Sequence, residues 1–218
     1  TSLVKKGIPA QSKIAHAPVE LCEKARPQLE ELARVPLLRG DRRLIQSEQL
    51  KGFCLQPAFI AGVQILADYD FSFDICVRLD QLAEACLLAR ACPKVKFILD
   101  HCGNPDIANK KLEPWSSQII ELSQLNNVWC KLSGLTTVAD EKNWKTEDLL
   151  PYTEHVIKSF GASRVLFGGD WPVVLKTSKY KQWISTVRSL LANHSEADRQ
   201  KIFHDNAINF YGLPHKSQ

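Results

Sequence analysis

The chain has 218 residues, 44% of them hydrophobic and 24% charged, with a formal net charge of +4. That length supports one sizeable core, and the scattered lysines and arginines form no basic stripe interleaved with aromatics, which argues against nucleic-acid binding. No apolar run reaches the roughly 18 residues of a membrane span, and Thr1–Ala10 does not read as a signal peptide.

The first apolar, β-prone run is Lys13–Pro18, and Thr1–Ser12 before it carries no strand or helix pattern. Pro27 opens a helical segment with Leu29, Leu32 and Ala33 on one face. A second strand is predicted over Arg42–Gln46, followed by a helix whose stripe is Phe59, Ile60, Val63, Leu66 and Ala67. Phe71–Val77 reads as the third strand. The next helix shows Leu82, Cys86 and Ala89, with Asp80 as its expected N-cap. Val95–His101 is the fourth predicted strand, with a helix carrying Trp115, Ile119 and Leu122 after it. Val128–Leu132 is the fifth, followed by a helix capped by Thr146 that closes at Gly161. Arg164–Gly168 is the sixth. Tyr180, Trp183, Ile184, Val187 and Leu191 mark the helix after it, and Ser195 with Asp198 forms a capping-box pattern for the last one.

Strict alternation of strands and helices predicts parallel strands with helices outside. No G-x-G-x-x-G follows any strand, which disfavours a dinucleotide-binding sheet. Polar residues at the expected strand ends, namely Gln46, Arg78, His101, Ser133 and Asp170, fit a barrel whose site lies at the C-terminal mouth. The expectation is therefore an α/β fold of the TIM type, a (β/α)8 barrel truncated at its N-terminus to about six strands. Residues 13–218 would form its single, partial domain. Methionine is absent even at position 1, which fits an N-terminus lacking about 60 residues, or two units. The seven cysteines contain no C-x-x-C pair and read as buried free thiols in a reducing, cytoplasmic setting.

The candidate chemistry lies at the predicted strand ends. In VLFGGDWPVV (165–174) a lone acid, Asp170, follows two glycines at the end of an apolar strand. Strand alternation puts Asp170 with Leu166 and Gly168, and His101 with Phe97 and Leu99. If both faces line the barrel, acid and imidazole meet at the mouth, where Asp170 can act as general base or metal ligand and His101 as ligand or proton donor. The same alternation turns Asp100 towards the helices. The ordinary readings stay open: a satisfied structural histidine, a turn-capping aspartate. Arg42 and Arg78 suit a carboxylate or polyhydroxyl ligand, or structural ion pairs. Ser133 ends a strand near the mouth but does not read as a serine-hydrolase nucleophile, because no Gly-x-Ser-x-Gly elbow surrounds it. His155 and His194 read as surface residues, His204 and His215 as chain-end solvent groups, and His16 as ambiguous.

FILDHCGNPDI (97–107), NVWCKLSGLTTVAD (127–140), RVLFGGDWPV (164–173) and IFHDNAINFYGL (202–213) together resemble the amidohydrolase superfamily. IAHAPVE (14–20) and RGDRRLIQSE (39–48) fit as its third and fourth strands. The resembled branch is the amidohydrolase-related (amidohydrolase 2) family of L-fucono-lactonase-like and 2-pyrone-4,6-dicarboxylate hydrolase-like lactonases. The resemblance implies hydrolysis of a sugar lactone or related cyclic ester. Asp170 would activate water and return a proton to the leaving alkoxide, and His101 would polarise the carbonyl or hold a metal. Arg78 and Trp171 would shape substrate contacts, with Arg42 and Ser133 also at the mouth. It implies one divalent metal such as zinc on His101 and Asp170, or none, since some branches of the family work without a bound metal; the His-x-His pair of the family's first strand does not occur in the chain and would belong to the missing N-terminal part. The expected partner is a small-molecule lactone, with no nucleic acid or membrane and room for a homo-oligomer. A silent, association-dependent isoform and a metal-dependent decarboxylase of the same fold are the alternatives.

Overall fold

The computed structural model describes residues 11–214. Of the expected irregular segment 1–12 only Gln11 and Ser12 are described, without regular structure, and His215 lies outside the described residues. Six strands form one parallel sheet in chain order: β1 (Lys13–Ala15), β2 (Leu38–Asp41), β3 (Ser72–Ile75), β4 (Phe97–Leu99), β5 (Val128–Leu132) and β6 (Val165–Phe167). Between them run α1 (Arg26–Ala33), α2 (Pro57–Ile65), α3 (Leu82–Ala91), α4 (Trp115–Ser123) and α5 (Thr146–Phe160). After β6 come α6 (Tyr180–Leu190), α7 (Glu196–Gln200), a π-helical turn (Lys201–Asp205) and α8 (Asn206–Tyr211). This is a (β/α)8 barrel carried through six strands, with β1 and β6 as its edges among the described residues.

The two faces of the sheet follow from its register. Phe73 pairs with Phe97 and Phe97 with Val128, while Ile75, Leu99, Cys130 and Val165 form the next row. These rows meet the helices: Phe59 of α2 stands edge-on to Phe73, which stands edge-on to Phe97. The alternate rows, Asp74–Ile98–Trp129 and Lys131–Leu166, line the concave face. There Ile98 and Leu166 pack with Phe210 of α8, which also touches Trp129. Asn206 anchors that helix, its amide donating to the carbonyls of Ala162 and Val165 at 2.7 and 2.6 Å.

Several expectations need correcting. The second strand is Leu38–Asp41, not Arg42–Gln46. The Leu44–Ile45 pair that suggested a strand belongs to a turn, Ile45–Ser47. The true strand contains Gly40, where a Cβ would lie 2.3 Å from Ser72 Oγ and 2.6 Å from Ser72 O, so only glycine lets β2 come this close to β3. Asp80 does not cap α3; it pairs with Arg78, and the preceding turn is closed by Gln81, whose side-chain oxygen accepts from the Arg78 amide. Lys145, not Thr146, holds the N-cap position of α5, with Asp148 accepting from its amide. His155 is half-buried against Trp115, with Nε2 2.9 Å from the Ser116 carbonyl. Ser195 caps α7 as its pattern suggested, accepting from the Asp198 amide.

Candidate active site

The strands deliver their C-terminal ends to one rim, and the turns that follow them leave regular β geometry at once. After β4 the backbone turns through Asp100–Gly103, where His101 and Cys102 take φ values of 54° and 52°. After β6, Gly168 and Gly169 lead to Asp170 at φ 48°. Left-handed backbone at non-glycine residues is costly and concentrates at working sites. Here it brings the two side chains together: His101 Nε2 lies 3.8 Å from Asp170 Oδ1, with both largely buried.

This meeting was expected, but not by this route. Phe97 and Leu99 face the helices, so plain alternation would have sent His101 outward and Asp100 inward from that register. Asp100 does point inward, contrary to the expectation that it faces the helices. The left-handed turn then swings His101 into the mouth as well, so consecutive residues serve the same side.

Neighbouring residues hold the imidazole. Its Nδ1 lies 2.9 Å from Ser133 Oγ. Gly134 stands against the ring, where a Cβ would come within 2.8 Å. Ser133 therefore orients His101, and its own exposure is 1%. Below this pair lies a buried ionic network. Lys131 Nζ donates to Asp100 Oδ1 at 2.6 Å and to Asp74 Oδ2 at 3.0 Å, and Arg42 Nη1 donates to Asp100 Oδ2 at 3.0 Å. The Tyr211 hydroxyl from α8 is buried beside this network: burial and Asp74 raise its pKa, and the Lys131 charge works against that rise.

Burial and charge act in opposite directions across this group. Burial raises the Asp170 carboxyl above its ordinary range, His101 beside it pulls it back part of the way, and Asp100 adds to the rise. Burial likewise raises Asp74 against the pull of Lys131. Burial also works to raise Asp100, but Lys131, His101 and Arg42 outweigh it and hold that carboxylate low. The difference between the two acids follows from geometry: Asp100 has the shorter bond to Lys131 and a second cation. Burial works to lower the Lys131 pKa, yet Asp74 and Asp100 keep it above the ordinary lysine value.

The remaining expected residues divide. Arg42 reaches the site through Asp100, and its side chain is 42% exposed. Arg78 is committed elsewhere, to Asp80 at 3.0 Å and to the carbonyls of Gln46 and Glu48. Trp171 follows Asp170 at the rim with 68% exposure. His16 is exposed, with Nδ1 3.3 Å from the Arg42 carbonyl. Sequence reasoning missed the roles of Lys131 and Asp74. The signal was present in Phe71-Ser-Phe-Asp-Ile, where an acid interrupts an apolar strand on the same alternation as Ser72.

One group of metal donors is present among the described residues: Cys76, Asp100 and His101, with ligand atoms within 4.8 Å of one another. Its donors are unequal. Both Asp100 oxygens already face cations, and burial pushes the Cys76 thiol up to about 12. The imidazole and carboxylate of His101 and Asp170 are the donor types that zinc takes, and their 3.8 Å separation fits two ligands of one divalent ion.

Comparison with known proteins places this geometry. The amidohydrolase family model matches residues 14–213. The L-fucono-1,5-lactonase of Burkholderia ambifaria is 32% identical over 193 residues, covering 85% of this chain. The L-fucono-1,5-lactonase of Burkholderia multivorans is 32% identical over 202 residues, covering 86% of this chain and 68% of that protein. The chain spans 65% of the length of the B. ambifaria relative. Among solved structures, a B. multivorans amidohydrolase with bound zinc superposes with a TM-score of 0.91 at 27% identity, covering 98% of this chain and 77% of that one. Amidohydrolase 2 from Bifidobacterium longum subsp. infantis shares the fold, with a TM-score of 0.66 at 21% identity over 98% of this chain and 84% of that one. The chain belongs to the amidohydrolase family.

Proposed function

We propose that the protein carrying this chain hydrolyses a sugar lactone or a related cyclic ester, with Asp170 as the base. The observation that carries the reading is the Asp170–His101 pair at the mouth of the barrel, in a chain 32% identical to two L-fucono-1,5-lactonases. In this reading Asp170 takes a proton from water as the water oxygen bonds to the lactone carbonyl carbon. The ring C–O bond then breaks, and the departing alkoxide recovers the proton from Asp170, leaving a hydroxy acid. The raised Asp170 carboxyl suits the first half of that exchange, because a more basic carboxylate accepts a proton from water more readily, and the strongly basic departing alkoxide takes it back. His101 Nε2 faces the same space and would steady the carbonyl oxygen as it gains charge. Arg42 and Trp171 stand at the rim as substrate contacts. Arg42 offers N–H donors suited to a hydroxylated ring and to the carboxylate it becomes.

His101 and Asp170 are the residues that would hold a divalent cation, which would supply polarisation of the carbonyl when bound. The test is acid release from a panel of sugar 1,5- and 1,4-lactones and aromatic pyrone lactones, with and without added zinc. Turnover that Asp170→Asn abolishes is the expected result. Turnover untouched by that substitution, or no lactone opened by the full protein, would overturn the reading.

A further inference from the structure

Two inward side chains at the end of β5, Lys131 within it and Ser133 just after it, grip two consecutive residues of the left-handed turn after β4. Lys131 holds Asp100, and Ser133, two positions on, holds His101. Neither bond is peripheral: Asp100 has no exposed side-chain surface, and the Lys131 side chain is 16% exposed. The neighbouring strand leaves space for both prongs. A Cβ on Gly168 would come 2.8 Å from Ser133 Cβ and 2.9 Å from Lys131 Cγ, so glycine at that position lets the two side chains stand side by side. On the far side Asp74 takes up further hydrogen-bonding capacity of the ammonium. Lys131 is thus fixed from β3 and from the turn after β4 at once.

We propose that Lys131 is a positioning residue for His101: it pins Asp100, and through the rigid turn it keeps the imidazole in register with Ser133 and Asp170. A turn with two successive non-glycine residues at positive φ persists only when its surroundings over-determine it, and the Lys131–Asp100 bond is the shortest polar contact that Asp100 makes. The role deepens the lactonase reading and rests on it only for the catalytic consequence.

Lys131→Met alone leaves two buried acids facing one arginine and is a poor test, because an uncompensated buried charge destabilises the fold itself. Two substitutions avoid this. Asp74→Asn with Lys131→Met removes one charge of each sign and leaves Asp100 with Arg42. Gly168→Ala keeps every charge and crowds both prongs. Each protein is made with 15N-labelled histidine, and the His101 ring nitrogens, assigned by their loss in His101→Asn, are read at about pH 8.5, above the ordinary imidazole range. The expected result is two well-separated nitrogen signals in the parent, from one fixed tautomer, that converge towards an average in both variants while the near-ultraviolet circular dichroism stays native. In the lactone assay, kcat should fall by up to about a hundredfold with KM changed little. Unaltered His101 signals in folded variants would overturn the positioning role. A protein that opens no lactone but shows the convergence would remove the functional reading and leave this one intact.

Discussion

The two faces of the sheet are built on opposite rules. The helix-facing rows are wholly apolar: Phe59, Phe73 and Phe97 stack edge to face, and Ile75, Leu99, Cys130 and Val165 continue the layer with no exposed surface. The concave rows carry Asp74 and Lys131, with Asp100 joining them from the turn after β4, and their apolar part is where Ile98, Leu166 and Trp129 meet Phe210. Burying ions is costly, and an apolar set of similar volume is often as stable or more so. Stability therefore accounts for the outer face, while the inner one makes sense as a frame for the residues at its rim.

If that division is right, function and stability separate by face. The largest effect belongs to Asp170→Asn, which should lower turnover by roughly 10²–10⁴-fold, the usual range for a general base, with little change in the melt. Paired kcat and thermal-unfolding measurements check it, and a large loss of stability would place Asp170 with the framework. Phe97→Ala is the reverse case. It opens a cavity in the aromatic row and should cost about 3–5 kcal/mol of stability, measured by denaturant unfolding, while the folded fraction keeps its kcat.

Asp41 sharpens the comparison because it is a buried acid with no cation on it among the described residues. Its exposure is 1%, its Oδ1 accepts the Ala17 amide, and its Oδ2 has no partner among the described residues. Burial lifts its pKa from 3.8 to about 7, whereas Asp100, with two cations, is held low. Between those two values the folded protein binds more protons than the unfolded chain, so this contribution to stability is present below pH 3.8 and is lost as pH rises through about 7. The span corresponds to at most about 4 kcal/mol. Asp41→Asn keeps the Ala17 acceptor and should flatten that decline in urea titrations run across the interval. An equally steep decline in the variant would assign it to other groups.

The sequence made the outer face easy to read and the inner one hard. Periodicity located five of the six strands and the main helices, because Leu29, Phe59, Cys86, Ile119 and Val187 repeat as amphipathic helices require. It misplaced β2, whose identity rests on a tertiary fact: Gly40 fits under Ser72. Asp170 and His101 were legible from their motifs, yet alternation put Asp100 on the wrong side, since no periodic rule anticipates consecutive residues at positive φ. Lys131 was visible as a residue at a strand end, but its partners come from β3 and from the turn after β4, 57 and 31 positions away. Pairings at that separation are set by the register of the sheet.

The smallest predicted effect tests the rim, where the two rules meet. Trp171 is large and apolar, yet 68% exposed. A ring packed for stability would be covered, as Trp115 and Trp183 are, with exposures of 0% and 1%. Trp171→Ala should therefore change stability by no more than about 0.5 kcal/mol. If the ring lies along a bound lactone, its loss should remove about 0.5–1.5 kcal/mol of binding, a two- to twelvefold rise in KM with kcat nearly unchanged. A stability loss well above that limit would make Trp171 part of the framework. An unchanged KM would move the substrate contact to Arg42, whose guanidinium is already fixed over the mouth by Asp100.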